Sequence, residues 1–262
     1  MKKLLLVTSI LVSINASATG NASTGPNSVY IQQIGNSNTI TIEQVGGTNR
    51  VGGVTNTTST SVDANGITTL TPANPSSSNY GTLTGSTNTL SLIQHGINNS
   101  AQYNIQGNHT SYSSSVTGDG NQTSLTIGDQ NNAANNYNSV SETITGNTNL
   151  ILTNIVGSQN TVSTNLNGNS NQVTQKITTS LGSVSNTVTG DSNVFNIQQT
   201  DSAGANGHTL VLATTGSFNS ITTQQQGNND TTVNINTNGS NNTITVRTSS
   251  NAIVTPVSAI SR

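Results

Sequence analysis

A glycine recurs every eleven residues along much of this chain, in most places with asparagine three positions later, and that phase limits the fold more than any other feature. Ser28 to Asn49 reads SVYIQQIGNSNTITIEQVGGTN, in which an alternating run, a Gln, a Gly and an Asn are written twice. Gly35 and Gly46 are eleven apart, as are neighbours in the series Gly85, Gly96, Gly107, Gly118 and in the series Gly146, Gly157, Gly168; Gly216 precedes Gly227 by the same step. Repetition at a short fixed period signals a solenoid, whose units cannot bury their apolar faces alone and do so by stacking.

Between the glycines the residues alternate: TITIEQ follows Asn38, TLSLIQ follows Asn88, TVSTNL follows Asn160 and VFNIQQ follows Asn193. Period-two alternation predicts half-buried strands, and no helical stripe of comparable length competes with it. Gly35, Gly46, Gly85, Gly96, Gly146, Gly157, Gly168 and Gly216 are the expected turn glycines, since glycine accepts positive φ without strain and Asn is the next most tolerant residue. A strand of about six residues and an arc of about five make one unit, and two units make a rung of about 22. The expected fold is all-β: a β-solenoid of stacked two-stranded β-arch rungs with parallel cross-β ladders, roughly eleven rungs in all. Asn167-Gly168 and Asn238-Gly239 also suit type I′ hairpins, which would give an antiparallel meander, but their glycines fall in or near the phase and favour the stack.

The start of the chain reads differently. Lys2 and Lys3, the apolar run Leu4 to Ile14 and Ala16-Ser17-Ala18 have the parts of a secretory signal peptide cleaved near Ala18. The expected organisation is a signal peptide over 1–18, a short mature segment over 19–27, repeats over 28–248 with an irregular loop at about 57–81, and a tail over 249–262. Pro72 and Pro75 mark that loop, because proline cannot donate to a ladder, and Thr200 to Gly207 reads as a lengthened arc. The product is expected outside the cell, with no transmembrane segment.

Composition supports stacking. Only 5% of residues are charged and 29% are apolar, which leaves too little for a thick core. Thr, Val, Ile, Asn and Gln are abundant, a β-favouring, amide-rich mixture that suits cross-β packing. Formal charge is −2, and loss of Lys2 and Lys3 with the leader makes it −4. No basic stripe exists, so nucleic acid is not an expected partner. Without cysteine there is no disulfide to obstruct export.

On these residues the chain resembles the curlin repeat family, the subunits of bacterial extracellular curli amyloid fibres. Ser28, Gln33, Gly35, Asn38 and Gln44 follow its repeat with one residue fewer after Ser28; Gln44, Gly46 and Asn49 restart it; Asn88, Gln94, Gly96 and Asn99 repeat it. Asn193 with Gln199, and Asn219 with Gln225, keep the Asn-to-Gln half. In the middle the second Gln is replaced by Ile105, Ile127, Tyr137, Ile155, Leu166 and Ile177. The resemblance implies a secreted subunit of a homopolymeric biofilm fibre, with a nucleator subunit, a secretion pore and a periplasmic chaperone as partners.

The same amides can be read without the family. Gln33, Gln44, Gln94, Gln199 and Gln225 keep a fixed offset from the arcs, as inward amides would if they formed a ladder along the stack. Other side chains point to less. His95, His109 and His208 differ in phase and have no acidic or cysteine partners at ligand spacing, so no metal or cofactor is expected. Asp119, Asp129 and Asp191 each follow a turn glycine and read as solvated arc residues. Glu43 and Glu142 are far apart in sequence and no nucleophile motif occurs, so no enzyme is expected. The alternative is a monomeric solenoid binding module, an adhesin or ice binder. The Thr39/Thr41 pair suggests an ice face, yet Ser91, Gln102, Leu152, Ser163 and Asn196 stand where Thr41 would recur.

Overall fold

A computed structural model describes residues 11–17, 25, 27–52, 59–62, 68–71, 81–128, 135–201, 207–227, 229–249 and 257–260. Every regular element among them is a strand, and the strands form a β-solenoid. Successive strands alternate between two parallel sheets. Thr39–Val45, Thr89–His95, Ser111–Thr117, Ser139–Thr145, Thr161–Asn167, Ser183–Thr189, Thr209–Thr215 and Thr232–Asn238 follow one another in the first sheet. Ser100–Gln106, Gln122–Ile127, Leu150–Val156, Gln172–Thr178, Val194–Asp201, Ser220–Gly227 and Thr243–Thr248 run through the second.

Register is kept from coil to coil. Thr161 pairs with Ser183 and Val162 with Val184, a step of 22 residues that puts like positions over one another. The type I′ hairpins do not form: Thr161–Asn167 and Gln172–Thr178, on either side of Asn167-Gly168, lie in different sheets. Burial alternates along the strands of the first sheet, as in Ser139–Thr145, so the two sheets bury one face each against the other.

There are about eight coils rather than eleven. The expectation counted every 22 residues as a rung, whereas several segments leave the stack. The largest departure interrupts a strand instead of an arc. Arg50–Val51 pairs with Ser100 and Ala101, and Gly81–Thr84 resumes the same coil by pairing with Asn104 to Gln106. Glycine at 81 is required there, because a Cβ would meet the Tyr103 ring at 2.5 Å. Ser59–Val62 and Thr68–Thr71 form an antiparallel pair in the excursion, and the latter approaches Gln172–Thr178 and Val194–Asp201 of the second sheet. Outward-facing Gln102, Leu152 and Thr174 of that sheet are buried. Two further departures fall between Gly128 and Asn135, which the sequence phase did not signal, and between Asp201 and Gly207; the interior of each, with Asp129, lies outside the described residues. All three are on the second sheet or on the arcs that lead out of it. From Thr39–Val45 to Thr232–Asn238 the first sheet and the arcs leaving it run uninterrupted.

At the two ends, Leu11–Ser17 pairs with Thr39–Val45 and Val257–Ile260 pairs with Thr232–Asn238. The tail therefore returns one short strand to the first sheet, despite Pro256. In the second sheet, Ser28–Val29 with Ile31–Ile34 at one end and Thr243–Thr248 at the other are the outermost described strands.

The interior changes along the stack. At the central inward position of the first sheet stand Ile42 and Leu92, then Ser114, Glu142, Thr164 and Asn186, then Leu212 and Ile235. All eight are buried. The end coils close on aliphatic side chains, while the middle ones enclose a polar seam that needs its own hydrogen bonds.

Candidate functional site: amide ladders and coil ends

Where an arc carries the phased Asn, its side chain turns inward and joins three coils. The backbone N–H of Asn99 donates to Asn49 Oδ1 at 3.0 Å, and Asn99 Nδ2 donates to the Gly118 carbonyl at 2.7 Å. The same Asn-to-Asn bond repeats through Asn27, Asn49, Asn99, Asn121, Asn149, Asn171, Asn193, Asn219 and Asn242, a ladder of nine. The opposite arcs carry a shorter version. Asn88 donates its backbone N–H to Asn38, Thr110 donates to Asn88, Asn160 to Asn138, and Gly182 to Asn160. The structure thus brings Asn49, Asn99, Asn193 and Asn219 into one ladder and Asn38 and Asn88 into another. Asn121, Asn149 and Asn171 belong to the long ladder too. Their G-x-x-N signal was present, but the missing Gln downstream kept them from being singled out.

The glutamines form pairs rather than one continuous ladder. Gln44 Nε2 donates to Gln94 Oε1 at 2.9 Å in the first sheet, near one end of the stack. Gln199 Nε2 donates to Gln225 Oε1 at 2.9 Å in the second sheet, near the other. Each of these four side chains is buried. Beyond the first pair its column turns apolar, with Val116, Ile144, Leu166 and Val188 continuing from Gln94 in the first sheet. An amide ladder propagates only where the next coil also offers an amide. Gln33 has none: it is half-buried over Leu83 in the outermost coil and bonds weakly to the Gly35 carbonyl at 3.4 Å. Of the residues expected in place of the second Gln, Ile105, Ile127, Ile155 and Ile177 lie in the Gln33 column and Leu166 in the Gln44 column. Tyr137 does not; it is exposed on an arc and stacks on His109 with ring centroids 4.7 Å apart.

The arcs stack closely enough to decide their own sequence. Gly35 has φ +120, and a Cβ there would lie 1.9 Å from the Gly85 carbonyl oxygen of the next coil. Gly46, Gly85, Gly96, Gly146, Gly157, Gly168 and Gly216 share positive φ and a similarly close carbonyl. The third arc position is also left-handed, although it is seldom glycine: Ser37, Thr87, Leu181 and Phe218 have φ of 57, 62, 60 and 58. Such residues each cost about 1 kcal/mol, offset here by the ladder bonds on either side.

The second arc residue, directly after the glycine, carries a further ladder that the sequence reading missed. Asp119 Oδ1 accepts the Ile97 N–H at 2.8 Å, Asn147 Oδ1 accepts the Asp119 N–H at 2.8 Å, and Asp191 Oδ1 accepts the Asn169 N–H at 2.7 Å. Ser86, Asn108 and Ser158 do the same on the opposite arcs. Asp119 and Asp191 are therefore structural acceptors as well as solvated charges. The signal was available, since Asn, Asp or Ser follows nearly every phased glycine.

Among the described residues no group of His, Cys, Asp and Glu could hold a metal. His95 Nε2 lies 2.9 Å from Glu43 Oε1 on the surface. His208 takes an arc Asn position, where its Nδ1 accepts the Thr231 N–H at 3.3 Å. Among the described residues no helix is long and apolar enough to cross a membrane. What the arrangement offers chemically is a set of one-dimensional hydrogen-bond ladders, the longest of which runs from Asn27 to Asn242. Comparison with family models finds no match, and no curated protein or solved structure matches the chain significantly.

Proposed function

We propose that the chain is an exported structural subunit that polymerises end to end into an extracellular, curli-like amyloid fibre of a biofilm matrix. The observation that carries this reading is the state of the ends. The second sheet finishes on the strands around Ser28–Val29 and on Thr243–Thr248, with no further described strand over either. The long ladder likewise begins at Asn27 and stops at Asn242. Every rung donates and accepts in the same sense, so the Asn242 end of one copy is chemically suited to the Asn27 end of another. A solenoid that stays monomeric covers such edges.

Export fits the same scheme. Leu11–Ser17 lies on Thr39–Val45 where a further coil would sit, and these residues belong to the segment expected to leave with the signal peptide. Cleavage near Ala18 then frees that edge, and assembly outside the cell follows. A nucleator, a pore and a chaperone are proposed on the family resemblance alone. The chain lacking residues 1–18 should form unbranched fibres with a meridional spacing near 4.8 Å, as a cross-β stack requires. A folded chain that remains monomeric for days at micromolar concentration would overturn the proposal.

A second reading rests on the outer face of the first sheet. From Thr39 through Thr89, Ser111, Ser139, Thr161, Ser183 and Thr209 to Thr232, every coil has a hydroxyl at one position. Ser91, Ser113, Ser141, Ser163 and Ser185 continue a second column from Thr41 before Val211 ends it. The apparent interruptions Gln102, Leu152 and Asn196 belong to the other sheet. An uncharged hydroxyl lattice suits ice or another ordered hydroxylated surface. Inhibition of ice recrystallisation by the monomer, lost on placing Glu at Ser141, would favour this reading over the fibre.

A further inference from the structure

Glu142 is a buried acid, and the stacking function above makes no use of it. It stands in Ser139–Thr145 with its carboxyl in the polar seam between the sheets. Tyr112 Oη donates to its Oε2 at 2.8 Å from the preceding coil, and Thr153 Oγ1 lies 3.3 Å from its Oε1 across the interior. The seam then runs on. Gln175 Nε2 donates to Thr164 Oγ1 at 2.9 Å, and Asn186 Nδ2 donates to Gln175 Oε1 at 2.9 Å. Its near neighbours in the column are Ser114 and Thr164, which carry no charge.

Among the described residues no cation faces this carboxyl. Tyr112 is the titratable group set against it from Ser111–Thr117. Leu150–Val156 contributes Thr153 and Thr161–Asn167 contributes Thr164. Gln122–Ile127 presents Thr123 and Leu125 inward, and the phenol of Tyr103 is buried in Ser100–Gln106 beyond it. Lys176 falls on the outward-facing positions of Gln172–Thr178, between buried Gln175 and Ile177. The two hydrogen bonds to Glu142 are from neutral donors, which moderate an ionised carboxylate without neutralising it.

We propose that Glu142 makes closure of the central coils acid-favoured, so that the solenoid forms readily around a neutral carboxyl and reluctantly around an ionised one. The device lies in folding itself and holds whether or not the folded chain polymerises. Glutamine or leucine would have filled the position as they fill neighbouring ones, and either would fold alike at every pH. A carboxyl instead ties the middle of the stack to the proton activity of the compartment in which it closes.

Burial raises the carboxyl from 4.5 to about 7, against the lowering effect of Tyr112 and Thr153. The folded state thus holds a proton that the unfolded chain releases above pH 4.5, and stability falls as pH rises between the two values and levels off above the higher one. Tyr112 is raised as well, by burial first and by Glu142 second, so it remains protonated throughout that window.

The test is guanidinium unfolding of the soluble full chain, followed by circular dichroism from pH 4.5 to pH 8, for the parent, Glu142→Gln and the surface control Glu43→Gln. The parent and Glu43→Gln should lose on the order of a hundredfold in folding equilibrium constant across the window. Glu142→Gln should show a nearly flat profile and exceed the parent at pH 8. An unchanged pH profile in Glu142→Gln would overturn the proposal. Should that variant not fold, infrared spectra of the parent decide: a protonated carboxyl band that persists in the folded chain at pH 6 supports the assignment, and its absence overturns it.

Discussion

Gln44 and Gln94 are fifty residues apart in sequence, yet the side-chain amide of the first donates to that of the second at 2.9 Å inside the first sheet. The bond joins adjacent coils across the whole excursion that follows Gly52. It also lies in the coil nearest the Asn27 end, where a second copy would dock. Gln44→Leu preserves volume and leaves Gln94 Oε1 without its donor, a loss of about 1 to 3 kcal/mol for an unsatisfied buried polar atom. Seeded elongation at fixed monomer concentration should slow in this variant and proceed normally in Ile155→Val, whose column is already apolar. Elongation of Gln44→Leu at the parent rate would remove this amide from the docking end.

The two kinds of left-handed arc position should respond in opposite ways to substitution. Gly96 has φ +129, and a Cβ there would lie 2.0 Å from the Gly118 carbonyl. Gly120 has φ +67, and a Cβ there would make only an ordinary contact with Thr148 Oγ1 at 3.8 Å, in a position equivalent to Asn98 and Thr148. Gly96→Ala should cost about 3 kcal/mol or more, because the next coil must move as well as the backbone. Gly120→Asn should be neutral or stabilise by up to about 1 kcal/mol through the unfolded chain. Denaturant midpoints of the two variants check both.

Asn149 lies in the middle of the long ladder. Its Nδ2 donates to the Gly168 carbonyl at 2.8 Å and its Oδ1 accepts the Asn171 N–H at 3.0 Å. Asn149→Ala leaves both groups unpaired and should cost about 2 to 4 kcal/mol. Asn165→Ala, on the exposed face of the neighbouring strand Thr161–Asn167, should change stability by about 0.5 kcal/mol or less. Equal losses at the two sites would mean that the ladder bonds contribute nothing net.

Tyr112→Phe separates the two charge states of its partner. Above pH 7 the Tyr112 hydroxyl donates to an ionised Glu142, a bond worth about 1.5 to 3 kcal/mol; near pH 5 the carboxyl is neutral and the bond is worth about 1 kcal/mol. The variant should therefore lose more stability at pH 8 than at pH 5. With the anion less well supported, the fall of stability with rising pH should also extend to higher pH than in the parent. Unfolding curves at the two pH values give the comparison directly, and equal losses at both would show that Tyr112 does not distinguish the charge states.

The amino-acid sequence by itself determined the parts of the coil that depend on short-range chemistry. Positive φ at Gly35, the inward Asn three residues later and the alternation in TITIEQ are set within a few bonds of each residue, so the arc and strand of one unit were legible, as was the 22-residue rung. Tertiary structure decided everything that depends on which sheet a strand joins. An eleven-residue phase treats Thr41, Ser91 and Gln102 as equivalent, but Thr41 and Ser91 share a face and Gln102 lies in the other sheet. The same choice of sheet made Gln44 and Gln94 a pair distinct from Gln199 and Gln225. It also placed Tyr112 beside Glu142, thirty residues on, where nothing in the local sequence distinguishes a buried acid from a solvated one. The physical reason is that an arc is closed by its own few residues, whereas a side chain's surroundings are supplied by the coils above and below. Insertions such as the one after Gly52 shift those coils along the sequence without moving them in space.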